Sequence, residues 1–162
     1  MVAEKIIYYE GRMDDFDKLI PELKLWNGGS GIDPESWVSH TGRFDLAVGY
    51  SLMFWPSFVE HKGYILSEGF STDSLESFEQ TPARSKASIE WVMNHIHVLD
   101  LHGHDTPSEE QVRYLGRNFS EIHRVKLAHD FPEREFIVEL KDEPGLELID
   151  YQSSFWQKTT DD

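Results

Sequence analysis

The 162-residue sequence contains no cysteine and few basic residues, and each shortage excludes a class of function. Without cysteine the chain forms no disulfide, no thiolate zinc site and no cysteine nucleophile. Only 15 lysine and arginine residues stand against 30 acidic residues, which gives a net charge of -15 at pH 7. A field of this sign repels nucleic-acid phosphates and anionic membrane surfaces and attracts basic proteins. We therefore expect a basic protein partner, and no binding of nucleic acid or of membranes.

Long apolar runs are also missing. The most apolar stretch, residues 43–66, is RFDLAVGYSLMFWPSFVEHKGYIL and is interrupted by Pro56. It falls short of the roughly 20 consecutive apolar residues that a membrane-spanning helix needs. We predict instead that this stretch forms the core around which the rest of the chain packs.

Composition predicts one domain in the cytoplasm. The first ten residues, MVAEKIIYYE, carry two acidic side chains and no long apolar run, so we expect neither a signal peptide nor a transit peptide. The absence of cysteine fits a reducing compartment. With 39% apolar and 13% aromatic residues, the chain can bury a sizeable core. We predict a single globular domain over residues 1–162, with a frayed end at 158–162.

Helical spacing of apolar residues and proline-containing start signals predict helices along most of the chain. The predicted helices cover residues 13–20, 34–42, 72–80, 82–99 and 107–129. Asp33 is the expected N-cap of the second helix, and Thr106 with Glu109 has the spacing of a capping box. The glycines of WNGGSG, residues 26–31, are expected to form a plain turn, because the spacing of a nucleotide-binding loop is absent.

Alternating side chains predict short strands near both ends of the chain. The predicted strands are residues 5–9, 64–66, 135–140 and 151–157, with a turn at 142–145. The last two strands are predicted to form an antiparallel pair. The fold class is therefore α+β: a helix-rich single domain with a small antiparallel sheet that includes a C-terminal hairpin.

Four histidines between residues 95 and 104 are candidates for a metal site, because imidazole binds zinc, nickel and iron. They are His95, His97, His102 and His104, accompanied by Asp100 and Asp105. On the predicted helix His95 and His97 point about 200° apart, so they cannot share one ion unless the helix has ended before them. His102 and His104 remain candidates for a metal site in a loop. We predict no native metal and no other cofactor.

A serine in the apolar stretch is a candidate nucleophile. Residues 46–52, LAVGYSL, resemble the G-x-S-x-G nucleophile elbow of α/β-hydrolases around Ser51. Met53 stands where the motif requires its second glycine, and the chain lacks the βαβ succession of that fold. We predict that Ser51 lies inside a buried helix. The enzymatic alternative is a small hydrolase or metal-dependent enzyme that uses Ser51 or the segment from His95 to His104.

Exposed aromatic residues are candidates for partner binding, because tryptophan is enriched at the centres of protein interfaces. Trp26 and Asn27 lie beside the glycines of residues 26–31, and Trp37 lies on a short predicted helix. Loops and short helices sit at protein surfaces. We therefore predict Trp26, Asn27 and Trp37 as partner-binding residues.

Three arginines give the acidic chain a local basic stripe. Arg113, Arg117 and Arg124 fall on one face of the helix predicted over residues 107–129 and form a candidate anion-binding site. The alternative is a solvated face in which these arginines pair with nearby acidic residues, such as Glu110 and Glu121.

In size, acidity, absence of cysteine and absence of a catalytic signature, the sequence resembles the small immunity proteins of bacterial toxin systems, which neutralise basic nucleases or other toxins by binding them. It is similar in the same way to small acidic bacterial proteins of families without an assigned function. The resemblance extends over the whole chain and rests on no motif, so it implies a function and no functional residues. We predict a non-catalytic protein-binding module, either a monomer or a homodimer.

Overall fold

The computed structural model describes residues 13–101, 106–142 and 147–158. The chain divides into two compact units, residues 1–47 and residues 48–162. The predicted strand at 5–9 lies outside the described residues, as do most of the predicted turn at 142–145 and most of the predicted frayed end at 158–162. The prediction of a single domain over the whole chain stays a prediction.

Short helices make up the described part of the first unit. They are helix α1 (Met13–Leu19), a 3-10 helix (Pro21–Leu25), the single turn α2 (Trp26–Gly29) and helix α3 (Pro34–Thr41). Helix α1 ends before Pro21, as predicted, because proline has no backbone N–H to continue the helical bonds. The Asp33 side chain accepts a hydrogen bond from the Ser36 amide (2.9 Å), which confirms Asp33 as the N-cap of α3.

The second unit carries the strands and the longer helices. Helix α4 (Phe44–Phe54) begins in the first unit and continues into the second. It is followed by β1 (Phe58–His61), β2 (Tyr64–Ser67), α5 (Thr72–Glu79), α6 (Lys86–Met93), β3 (Ile96–His97), α7 (Glu109–Asp130), β4 (Phe136–Lys141) and β5 (Gln152–Gln157). The helix-rich α+β class that the sequence predicts is confirmed.

The described strands form two antiparallel sheets. Strands β1 and β2 make a hairpin in which His61 pairs with Tyr64 across the two-residue turn of Lys62 and Gly63. Both turn residues have positive φ angles, 51° and 83°, which tight hairpin turns require. In the second sheet β5 lies between β3 and β4. The pairing of β4 with β5 confirms the predicted C-terminal hairpin.

The predicted bounds of the helix over residues 82–99 are wrong at both ends. Helix α6 begins after Ser85, whose hydroxyl accepts a hydrogen bond from the Ser88 amide (3.1 Å), and it ends at Met93. The chain then enters β3, which satisfies its backbone groups by pairing with β5. Periodicity misses this change because a helix end followed by a very short strand still places apolar residues every few positions.

Helix α7 matches the helix predicted over residues 107–129, with a different cap. Ser108 and not Thr106 is the N-cap, because the Ser108 hydroxyl accepts from the Gln111 amide (3.2 Å) and the Gln111 side chain accepts from the Ser108 amide (2.8 Å). These reciprocal bonds form a capping box. Glu109, the predicted box partner, is instead the first residue of the helix.

The core of the second unit lies among the strands and helices α5 to α7. Its buried hydrophobic residues form three clusters: Ile65, Leu127 and Phe155; Leu66, Leu75 and Ile89; and Val98, Val112 and Tyr151. Ile65 and Leu66 are neighbours on β2 and enter different clusters, because adjacent side chains of a strand point to opposite faces. No residue of α4 is buried, so the prediction that residues 43–66 form the core is wrong for this helix.

Candidate functional site

Helix α4 is strongly apolar, and none of its side chains is buried. It contains no charged residue between Leu46 and its end at Phe54, and Pro56 follows shortly after that end. A helix that is apolar on all sides is usually buried. Within the described residues, no helix has both the length and the apolar character to cross a membrane. Helix α4 therefore presents an unusual amount of apolar surface to solvent.

Two side chains of α4, Val48 and Leu52, and that of Trp55 directly after its end form one exposed surface, which we name the α4 patch. Val48 is 65% exposed, Leu52 is 72% exposed and Trp55 is 55% exposed. Spacings of four and three residues place them on the same side of a helix. Together they expose on the order of 400 Å² of apolar surface, which is the size of the largest apolar patch on a typical monomer, a patch that is often functional.

Helix α7 holds the C-terminal end of α4 in place. The Phe54 ring stacks on the Phe119 ring with centroids 5.4 Å apart and planes only 6° from parallel. Trp55 lies beside two cationic or ionisable groups: the Lys126 ammonium is 5.3 Å from its ring centroid, and the His129 ring is 6.2 Å away. A cation over a tryptophan face is attracted by the ring quadrupole. Trp55 therefore keeps a defined position although more than half of it is exposed.

Ser51 lies in the middle of α4. Its hydroxyl donates a hydrogen bond to the backbone carbonyl of Val48 (2.7 Å), one turn earlier. A nucleophile elbow instead places the serine on a sharp turn between a strand and a helix. The residue is also exposed, so the predicted helix is confirmed and its predicted burial is wrong. Within the part of the chain that the structure describes, the Ser51 hydroxyl has no hydrogen bond to a histidine or a carboxylate.

The predicted partner-binding residues Trp26, Asn27 and Trp37 lie in the first unit. Trp26 and Trp37 are half-buried, and the Trp26 ring nitrogen donates to the Glu22 carboxylate (3.2 Å). Asn27 is exposed, and its side-chain amide donates to the Gly31 carbonyl (2.8 Å). The bond from Asn27 spans the glycine-rich turn, whereas the bond from Trp26 reaches back to the preceding 3-10 helix. The binding role of these three residues stays a prediction.

A surface cavity of about 480 Å³ lies beside the same turn. Its lining includes Gly29, Gly31, Asp17, Lys24 and Asp33. Two of its charged groups pair with each other, because the Lys24 ammonium lies 3.3 Å from the Asp17 carboxylate. Hydrogen bonds from Ser36 lower the pKa of the Asp33 carboxyl, which is engaged as the N-cap of α3. These three charged side chains of the cavity are therefore engaged in local structure.

The arginines of the predicted anion-binding site all lie near carboxylates. Arg113 is 2.7 Å from Glu109, Arg117 is 3.6 Å from Asp142, and Arg124 is 3.2 Å from Glu121. Hydrogen bonds from the Arg113 side chain and from Tyr151 lower the pKa of the Glu109 carboxyl. This arrangement matches the alternative of a solvated, paired face, and an incoming anion would have to displace these carboxylates. Anion binding here stays a prediction.

The structure brings together two of the four histidines that the sequence analysis singled out. The ring centroids of His95 and His97 lie 4.9 Å apart, with the planes at 86°. His102 and His104, the predicted metal-site candidates, lie outside the described residues. Among the residues that are described, no group of three or more histidine, aspartate or glutamate side chains is placed to hold a metal ion.

A further histidine, which the sequence analysis did not single out, is fully buried on α7. The His123 ring packs against the rings of Phe58 (5.9 Å) and Phe155 (5.4 Å). Within the described part of the chain, neither of its ring nitrogens has a hydrogen-bond partner. Burial disfavours the charged imidazolium and lowers the pKa of His123 to about 4.

Comparisons of the chain with protein-family models, with curated proteins and with solved structures find no match. We therefore assign function from the residues alone. The sequence does not predict the α4 patch, because its whole apolar stretch is expected in the core. Nor does it predict that His95 and His97 meet, because the apolar periodicity continues helix α6 past Met93. An N-cap signal at Ser85 was visible in the sequence, but no local signal marks the end of α6 at Met93.

Proposed function

We propose that this protein is a non-catalytic binding module that captures a basic protein partner through the α4 patch. The observation that carries the proposal is the exposure of Val48, Leu52 and Trp55 along a stretch, residues 46–58, that has no charged side chain, in a chain with a net charge of -15. Binding would neutralise the partner, as an immunity protein neutralises a toxin. The cysteine-free composition suits action in the reducing cytoplasm.

The size of the patch suits the centre of an interface. Each partner in a typical stable complex buries about 800 Å². The α4 patch supplies on the order of 400 Å², about half of that area, and the remainder would come from a polar rim. Trp55 is the best candidate for a binding hot spot, because it is large, apolar and already positioned by Lys126 and His129.

Charge favours a basic protein over the other possible occupants of the patch. A second copy of this chain would bring another net charge of -15 to the same surface. Anionic lipid would be repelled by the same field. A basic partner is instead attracted, and complementary charge chiefly raises its association rate and its specificity.

Two model helical peptides with the same leucine face test this proposal. One carries lysine on its polar face and the other carries glutamate, and binding to each is measured by fluorescence anisotropy. We expect salt-dependent binding of the lysine peptide alone. Leu52→Gln should weaken this binding at least about tenfold, because it removes apolar contact at the centre of the patch. The matched control is Leu25→Gln, since Leu25 is 75% exposed and Leu52 is 72% exposed.

Other results would overturn the proposal. Equal binding of the two peptides would show that charge does not select the partner. Equal loss of binding in Leu52→Gln and Leu25→Gln would show that the α4 patch is not the binding surface. Sedimentation equilibrium that shows a dimer of the wild type and a monomer of Leu52→Gln would assign the patch to a second copy. Partition into phosphatidylcholine vesicles that Leu52→Gln abolishes would assign it to lipid.

A further inference from the structure

The end of helix α6 places the side chains of His95 and His97 close together. Helix α6 ends at Met93, so His95 lies outside the helix, directly before β3, and His97 lies within β3. Side chains two residues apart in extended chain point to the same side. The ring centroids are accordingly 4.9 Å apart. The two rings could share an ion only if the helix ended before them, and helix α6 does end before them, at Met93.

Backbone carbonyls fix which nitrogen of each ring carries the proton. The Nδ1 atom of His95 contacts the Val92 carbonyl, and Nδ1 of His97 contacts the Ile149 carbonyl at 3.1 Å. A carbonyl oxygen only accepts hydrogen bonds, so each Nδ1 must be the protonated donor. In the neutral ring the lone pair then lies on Nε2, which is the atom that a metal ion binds.

The surroundings of both rings also suit a metal ligand. Histidines that bind metals usually donate their other ring N–H to a carboxylate or a backbone carbonyl, which holds the ring in place. Neither Nε2 has a hydrogen-bond partner among residues 13–101, 106–142 and 147–158. Both side chains are only partly buried, so an ion can reach them from solvent.

The separation of the rings fits one shared ion. A tetrahedral zinc ion holds each imidazole nitrogen at about 2.0–2.1 Å, which places the centres of two bound rings about 5 Å apart. The observed separation is 4.9 Å. We propose that His95 and His97 form a binding site for a divalent transition-metal ion of the zinc type, with both Nε2 atoms as ligands. The net charge of -15 further favours the approach of a cation.

This site is independent of the α4 patch and is tested with Zn²⁺ alone. Isothermal titration of the metal-free protein should show one Zn²⁺ bound per chain. His95→Asn and His97→Asn should each weaken binding at least about tenfold, because each removes one ligand. Asparagine keeps a side-chain N–H for the same carbonyl, so these variants should retain the local backbone. His40→Asn is the matched control, because His40 is exposed and its Nδ1 also contacts a backbone carbonyl, that of Ser36 (2.7 Å).

Two further measurements decide which histidines bind. In a long-range ¹H–¹⁵N spectrum of the wild type, Zn²⁺ should shift the Nε2 signals of His95 and His97. A double variant, His102→Asn with His104→Asn, covers the neighbouring candidates. The proposal would be overturned by the absence of Zn²⁺ binding in the wild type. It would equally be overturned if His95→Asn and His97→Asn bind as the wild type does while the double variant loses the ion.

Discussion

The carboxylate of Glu90 accepts a hydrogen bond of 2.6 Å from the backbone amide of Gln157. Its other oxygen accepts a bond of 2.8 Å from the backbone amide of Ile65. Gln157 lies on β5 and Ile65 lies on β2, so one buried side chain of α6 joins strands of two separate sheets. The Glu90 carboxylate thereby supplies the hydrogen-bond acceptors that a neighbouring strand would otherwise supply to these two amides.

Asn94 extends the same connection by one helical turn. Its side-chain oxygen accepts from the Ser67 amide (3.0 Å), and its side-chain nitrogen donates to the carbonyls of Ile65 (2.9 Å) and Phe155 (3.3 Å). The polar face of α6 therefore satisfies backbone groups that would otherwise be buried without partners. These two residues join β2 to β5 more directly than any apolar contact could, because hydrogen bonds specify register as well as distance.

We expect Glu90→Ala to lower the free energy of unfolding by about 3 kcal/mol, because it leaves the buried amide of Ile65 and the partly buried amide of Gln157 unpaired. Urea unfolding followed by tryptophan fluorescence measures this loss. Glu121→Ala is the control, since the Glu121 side chain is 68% exposed and its ion pair with Arg124 should contribute less than about 1 kcal/mol. Equal losses in the two variants would contradict a bridging role for Glu90.

Asn94→Asp should be destabilising by about 3 kcal/mol or more at pH 7, because a carboxylate would face two backbone carbonyls in place of a donor. The same urea experiment measures it. Asn27→Asp serves as the control, because Asn27 is exposed and a surface substitution there should cost less than about 1 kcal/mol. A mild effect at residue 94 would mean that the side chain does not bridge the two sheets.

The buried His123 ring makes stability depend on pH. The pKa of His123 is about 4 in the folded protein, against 6.5 for an ordinary histidine. Between these values the unfolded chain binds a proton that the folded chain does not, so stability falls as the pH falls from 6.5 to 4. A pKa difference of this size corresponds to about 3 kcal/mol. Above pH 6.5 this contribution is constant.

His123→Leu should remove that dependence. The leucine variant fills the site between Phe58 and Phe155 without unpaired nitrogens, so we expect it to be at least as stable as the wild type at pH 7. Urea unfolding at pH 7, 6, 5 and 4 should show a loss that is smaller by about 3 kcal/mol in the variant. Carboxylates contribute to both proteins alike. Parallel curves for the two proteins would contradict the burial of a neutral His123.

A comparison of two leucines tests the exposure of α4. Leu52→Ala should change the free energy of unfolding by less than about 1 kcal/mol, because Leu52 is 72% exposed. Leu75→Ala should cost about 3 kcal/mol, because Leu75 is fully buried among Leu66 and Ile89. Similar large losses at both positions would mean that Leu52 is buried, and that α4 belongs to the core as the sequence predicts.

Local patterns predicted the elements that local interactions build. Helix α5, helix α7 and the strands β4 and β5 lie close to their predicted positions, because periodicity and caps act within a few residues. The end of α6 was not predictable in this way. It depends on β3 pairing with β5 near Ser153, more than fifty residues along the chain.

The sequence by itself determined the acidic charge, the absence of thiol chemistry, the α+β class and the apolar character of α4. Only the tertiary structure decided that α4 lies exposed, that His95 and His97 meet, and that Glu90 joins β2 to β5. The physical reason is the range of the interactions. Charge and hydropathy belong to each residue, whereas burial and hydrogen-bond partners are set by segments that lie far apart along the chain.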